Sequence, residues 1–261
     1  MLVICLKQNS SRTWSCTLSI KSSIIRIYLY LARHRSTSAN CKLSHSIVIP
    51  HATYSPWIDD ANFAGAFQKI RKNTLVDIYR AYELWSLVRE TSNLSGDILE
   101  VGVWRGGTGC LIAERAKQLG STATVFLCDT FEGVVKAGDQ DSHYRGGEHA
   151  DTSMDTVRQL ATKMDLTNIE MLEGIFPDAT AHRIKDRQFS LCHIDVDVYE
   201  SAKHVAEWVW PRLASGGVIV YDDYGFSACE GITNLVNQRL QGQGALILHN
   251  LNGHAVVVKL C

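Results

Sequence analysis

No two of the eight cysteines form a CxxC pair, which argues against a zinc site built from paired thiolates. Cys110, Cys128 and Cys192 sit instead inside apolar runs such as VFLCD and FSLCHID, as buried free thiols of a reducing compartment do. Long apolar runs are missing too. The stretch from Ile20 to Leu31 is broken by Lys21 and Arg26 and is too short to span a bilayer. Net charge is only −1, which gives no electrostatic ground for binding nucleic acid or a membrane surface. Acids are absent from residues 1–58, which hold seven Lys or Arg; the remaining 19 bases face all 27 acids, a net of −8. A folded part of that sign suits a cationic ligand or a metal better than a polyanion. The nicotinamide fingerprint GxGxxG is also missing.

What is present divides at about residue 54. Residues 1–53 form a basic, Ser-rich extension, expected to be disordered. Its composition also fits an organelle transit peptide. Residues 54–261 read as one α/β domain. Trp57 to Ser92 has helical spacing, with Leu75, Ile78, Tyr79, Tyr82, Leu84, Trp85 and Val88 on one stripe. Strand and helix patterns then alternate. Strands are predicted at 97–103, 124–129, 168–172, 189–195 and 217–221, with helices at 107–119, 152–164, near 179–185, at 201–213 and at 230–240. Strands at 245–249 and 255–260 have no helix between them, so they should form an edge hairpin turning at Asn252-Gly253. The sum is a mainly parallel seven-stranded sheet with helices on both faces and an antiparallel edge hairpin. One connection, Thr130–Asp151, exceeds the usual loop length of about 12–15 residues. It carries several glycines, His143 and His149, and reads as a lid.

The first strand runs into Glu100-Val-Gly102-Val-Trp104-Arg-Gly106-Gly107 and a helix follows. Gly102 would permit a sharp turn, Gly106 would let the backbone approach a ligand, and the helix start would offer N–H groups to a carboxylate. The pattern ExGxxxG has the shape used by methyltransferases. Asp129, 23 residues beyond Gly106 at the end of the second strand, is placed to hold ribose hydroxyls of a nucleotide cofactor.

HIDVDVYES puts Asp195 and Asp197 at the end of the fourth strand, and VIVYDDYG puts Asp222 and Asp223 at the end of the fifth. Both ends lie at the carboxyl edge. Carboxylates gathered there repel one another unless a cation or a proton joins them. Oxygen ligands favour a hard ion, Mg²⁺ first, then Mn²⁺ or Ca²⁺. Neighbouring strand residues face opposite ways, so Asp222 and Asp223 can share an ion only where the strand has given way to loop. His193 is expected to face the core.

Together GVWRGGTG, CDTFEG, EGIFPD, IDVDVYES and VYDDYG resemble the macrocin and mycinamicin sugar O-methyltransferase family, which includes an aminocoumarin sugar methyltransferase. The likeness runs from about Tyr54 to the C-terminus. It implies a Rossmann-like class I methyltransferase that uses S-adenosylmethionine (SAM) and Mg²⁺ to methylate a hydroxyl of a deoxysugar in a secondary metabolite. Position by position, it implies Asp195, Asp222 and Asp223 as metal ligands and Asp197 as general base. Apart from the resemblance, His143 and His149 of the long loop are further candidates to accept the proton. The resemblance also implies Asp129 at the ribose and Gly174 to Phe176 at the adenine. Glu100, Gly102, Trp104 and Gly106 complete the expected cofactor set. Two departures stand out: Val196 replaces a Gly between the acids of the fourth strand, and the long loop with YRGGEHADTS differs from the antibiotic enzymes.

The expected partner is therefore a small hydroxyl acceptor carrying a sugar, with no nucleic acid and no membrane, in the cytoplasm. Homo-oligomerisation is left open. Three rival readings share these residues: a catechol-type O-methyltransferase, a metal-dependent hydrolase, and a non-catalytic SAM-binding protein.

Overall fold

A computed structural model describes residues 52–239 and 244–261, with short stretches between 23 and 48. The helical pattern expected across 57–92 is divided into a single turn at Pro56–Asp59, α1 (Ala61–Ile70) and α2 (Ile78–Glu90). Two aspartates restart it. Asp60 accepts from Phe63 N–H at 2.9 Å, and Asp77 from Tyr79 N–H at 2.8 Å, each satisfying donors that a helix start leaves orphaned. Leu75 falls in the link between the helices and is 66% exposed, so it is not part of the core stripe.

The sheet consists of β1 (Asp97–Val101), β2 (Val125–Asp129), β3 (Ile169–Glu173), β4 (Phe189–Ile194), β5 (Leu213–Tyr221), β6 (Ala245–His249) and β7 (Ala255–Lys259). Their spatial order is β3-β2-β1-β4-β5-β7-β6. The first five are parallel, and β7 runs antiparallel between β5 and β6. The expected mainly parallel, seven-stranded sheet with an antiparallel edge hairpin is what forms. The hairpin loop is wider than the predicted Asn-Gly turn, because its last register pair is His249 with Ala255.

Alternate strand residues feed two cores. Ile98, Leu127, Leu191 and Val220 pack against α1, α2, α3 (Gly107–Gln118) and α4 (Met154–Lys163). Leu99, Phe126, Phe189 and Ile219 pack against α5 (Tyr199–Val209) and α6 (Glu230–Arg239). The segment predicted as a helix near 179–185 is one turn of 3₁₀ helix, Ala181–Ile184. No described helix is long and apolar enough to cross a membrane.

The extension expected over 1–53 lies mostly outside the described residues. Residues 42–45 are an exception to the expected disorder. Backbone N–H groups of Lys42 and Leu43 donate to Glu230 at 3.0 and 2.7 Å, and His45 Nε2 lies 3.1 Å from the same carboxylate. Glu230 is only 3% exposed, and a buried carboxylate needs such partners.

Candidate active site

Strand order reverses between β1 and β4, and the crevice outside their carboxyl ends is the usual ligand position in an open α/β sheet. A cleft of about 1120 Å³, part of it open to solvent, fills this place.

At one end lies the glycine loop. Gly102 has φ +87°, and a Cβ there would come within 1.7 Å of the Asp195 carbonyl oxygen. Only glycine lets the ends of β1 and β4 meet on the cleft floor. Asp129 braces the loop: its carboxylate accepts from the N–H groups of Val103 and Trp104 at 2.7 and 2.8 Å and from Phe131 at 2.7 Å. Gly102, Trp104, Asp129, Gly174 and Phe176 all line the cleft.

Two expected cofactor residues do not. Glu100 is fully buried, with its carboxylate 2.9 Å from His193 Nδ1 on the neighbouring strand. Gly106 is the left-handed N-cap of α3, where a Cβ would meet Val157 of α4 at 2.7 Å. Its missing Cβ makes room for the packing of α3 on α4. The helix start is also less open to a carboxylate than expected, because Gly107 N–H is already bonded to the Asn73 carbonyl at 3.0 Å.

The acids converge at the other end. Oxygens of Asp195, Asp222 and Asp223 lie within 4.8 Å of one another. Asp222 N–H makes a last sheet bond to Ile194, and Asp223 then turns to φ +63°, so the strand does give way between them. Asp197 also has φ +63°, inside a γ-type turn closed by Val198 N–H on the Val196 carbonyl at 2.7 Å. Such backbone outliers concentrate at functional sites. Burial, then the charges of its neighbours Asp222 and Asp223, pushes the Asp195 carboxyl well above the carboxylate range. Burial and Asp222 do the same to Asp223. Burial raises Asp197 as well, against a hydrogen bond from Tyr144. Asp222 goes the other way. Burial would raise it, but His254 and Arg80 hold it down to about 2. An oxygen-only set whose members resist joint ionisation fits a hard divalent cation.

The long loop is partly anchored. Asp141 accepts from Tyr199 N–H at the start of α5, at 3.0 Å, and Ser201 Oγ donates to the Val135 carbonyl at 2.8 Å. The tip after Asp141 reaches over the cleft. Tyr144 Oη–H donates to Asp197 Oδ1 at 2.6 Å, and the His149 ring lies 6.1 Å from the Tyr144 ring. His149 lines the cleft; His143 is exposed, does not, and bonds to Ser142. Val196 also lines the cleft, between the two acids of its strand.

Several site residues escaped the motif reading. Asn73 to Val76 form one wall. Arg80 places Nη1 2.5 Å from Asp222 Oδ2. His254 Nε2 lies 2.7 Å from Asp222 Oδ1, at a poor angle for a hydrogen bond, and its Nδ1 lies 2.6 Å from Glu83. Arg80 left a trace in the sequence: it precedes Leu84 and Val88 at four-residue steps on the buried stripe of α2, where a cation needs a buried partner.

Known proteins sort with this geometry. The chain is 30% identical over 170 residues to a tetracenomycin rhamnosyl 4'-O-methyltransferase of Streptomyces olivaceus, covering 60% of this chain and 64% of the relative. It is 27% identical over 192 residues to mycinamicin III 3''-O-methyltransferase of Micromonospora griseorubida, covering 68% and 75%. The solved O-methyltransferase NovP superposes with a TM-score of 0.62 at 23% identity, over 72% of this chain and 82% of that one. The calicheamicin methyltransferase CalS11 gives 0.59 at 17%, over 81% and 99%. These likenesses establish the class I methyltransferase fold. The profile of the macrocin-O-methyltransferase (TylF) family matches residues 72–242, and the chain belongs to that family.

Proposed function

We propose that the protein transfers the methyl group of SAM to a hydroxyl of a small, sugar-bearing acceptor, with a divalent cation, Mg²⁺ first, held by Asp195, Asp222 and Asp223. The observation that carries this is the two-ended cleft, with a braced glycine loop at one end and four carboxylates at the other. The family and the sugar methyltransferases among the relatives support the acceptor class.

SAM supplies the electrophile: its S–CH₃ bond breaks as the C–O bond forms, leaving S-adenosylhomocysteine and a methyl ether. The bound cation supplies charge that acidifies an acceptor hydroxyl. The chain does the rest. Trp104, Asp129 and Gly174 to Phe176 orient the nucleoside. Asp197 takes the hydroxyl proton on its carboxylate, and Tyr144 keeps that carboxylate turned into the cleft. The loop tip bearing Tyr144 and His149 limits water. Positioning of the oxygen in line with the methyl is expected to supply much of the acceleration, up to about 7–11 kcal/mol in well-oriented systems.

Release of S-adenosylhomocysteine across a panel of glycosides and catechols, with and without Mg²⁺, tests the reading. Turnover of glycosides that EDTA abolishes is expected. Turnover of catechols alone would move the acceptor to the catechol class, and hydrolysis without SAM would replace the reading altogether.

A further inference from the structure

Asp222 is held from beneath the cleft by groups that the reaction scheme does not use. Its Oδ2 meets Arg80, and its Oδ1 meets His254. His254 is fully buried, and its second ring nitrogen meets Glu83. Both ring nitrogens thus face carboxylate oxygens. Glu83 is itself tied to the β6–β7 loop by the side chains of Asn250 and Asn252. Asn252 Oδ1 accepts from the backbone N–H of His254 at 2.9 Å. The loop at the sheet edge, helix α2 and the end of β5 are thus joined through a single imidazole.

A carboxylate has about four lone-pair directions. Arg80 takes one on Oδ2, and the His254 ring lies 2.7 Å from Oδ1, so the carboxylate is confined from both oxygens while the directions toward the cleft stay free. Groups that orient a metal ligand in this way are commonly worth 10–100-fold in affinity.

We propose that Glu83 and His254 are positioning residues: they lock the Asp222 carboxylate in the orientation that lets it share a divalent cation with Asp195 and Asp223. The proposal rests on the cation reading of the cleft. It gives the β6–β7 loop a role in the site that none of the acid motifs signals.

Mn²⁺ alone, titrated into the full-length protein and followed by electron paramagnetic resonance, tests it. Wild type should bind one Mn²⁺ that Asp223→Ala abolishes. Glu83→Gln and His254→Phe should each raise the Mn²⁺ Kd about 10–100-fold. SAM affinity measured without metal should stay within about twofold. His254→Gln retains one N–H donor toward Asp222 and should recover part of the loss, as should excess Mn²⁺ in turnover by Glu83→Gln. A merely structural role would lower SAM and Mn²⁺ affinity together and would not be rescued. Wild type that binds no Mn²⁺ would overturn the cation reading and this proposal together. Wild type that binds Mn²⁺, with Glu83→Gln and His254→Phe unchanged, would overturn this proposal alone. So would a second Mn²⁺ lost on His193→Gln, since the histidines would then be ligands themselves.

Discussion

Replacing Asp197 by Asn separates proton removal from cation holding. The two side chains have the same shape. In Asp197→Asn, the amide oxygen can still accept from Tyr144 Oη–H, now 2.6 Å from the carboxylate. The amide N–H₂ faces Asp223, whose carboxylate has an oxygen within 4.8 Å of one on Asp197. The cleft is therefore expected to keep its form, and SAM and Mn²⁺ should bind nearly as before. An amide cannot take a proton at neutral pH. General-base catalysis typically contributes 10²–10⁴-fold, so kcat should fall by about that factor, or about 2.7–5.4 kcal/mol. KM should change little, because the lost interaction belongs to the transition state. S-adenosylhomocysteine release at saturating SAM and acceptor, beside Mn²⁺ titration, provides both numbers. If Asp197→Asn loses the cation, Asp197 is a ligand; its oxygens already lie close to Asp223 and Cys229. If it keeps full rate, the base lies elsewhere, and His149 is the next candidate because it lines the cleft where His143 does not.

Asp129→Ala should weaken SAM binding and also cost about 1–3 kcal/mol of stability in urea unfolding, because three N–H groups lose their acceptor. Asp129→Asn keeps an acceptor and should restore most of the stability; SAM affinity that stays low in it would point to a direct ribose contact. Arg145 sits exposed on the loop tip, so trypsin should cut there in the free protein and more slowly with SAM and acceptor bound; equal rates would argue against a covering role. Deleting residues 1–45 should cost about 1–3 kcal/mol more than deleting 1–41, by stripping Glu230 of its partners. Equal midpoints for the two truncations would refute that contact.

Strands were readable because apolar runs bounded by polar turns carry their own signal, and β6 falls at the predicted Ala245–His249. The convergence of the acids was readable because they sit next to strand ends at one edge of the sheet. Asp222 and Asp223 show the limit: their sharing of one site depended on a break that Tyr224-Gly225 hinted at and the left-handed Asp223 supplies. Glu100 and Gly106 were misplaced because a motif gives spacing and not direction. Glu100 points from β1 toward α3, where the Cβ missing from Gly109 would sit 2.4 Å from it. The partition of the first helical stretch was missed because its apolar period continues through residues that Asp60 and Asp77 turn into caps. His254 and Arg80 meet Asp222 across long sequence separations, and no local pattern encodes a pairing made only when the sheet closes.

Crystals grown with S-adenosylhomocysteine and Mn²⁺ test the central claim most directly, through the anomalous signal of manganese. The account predicts one manganese peak bonded to Asp195, Asp222 and Asp223, with the nucleoside lying along Trp104, Asp129 and Gly174 to Phe176. Manganese on other residues, or a cleft without the nucleoside at saturating concentration, would contradict it.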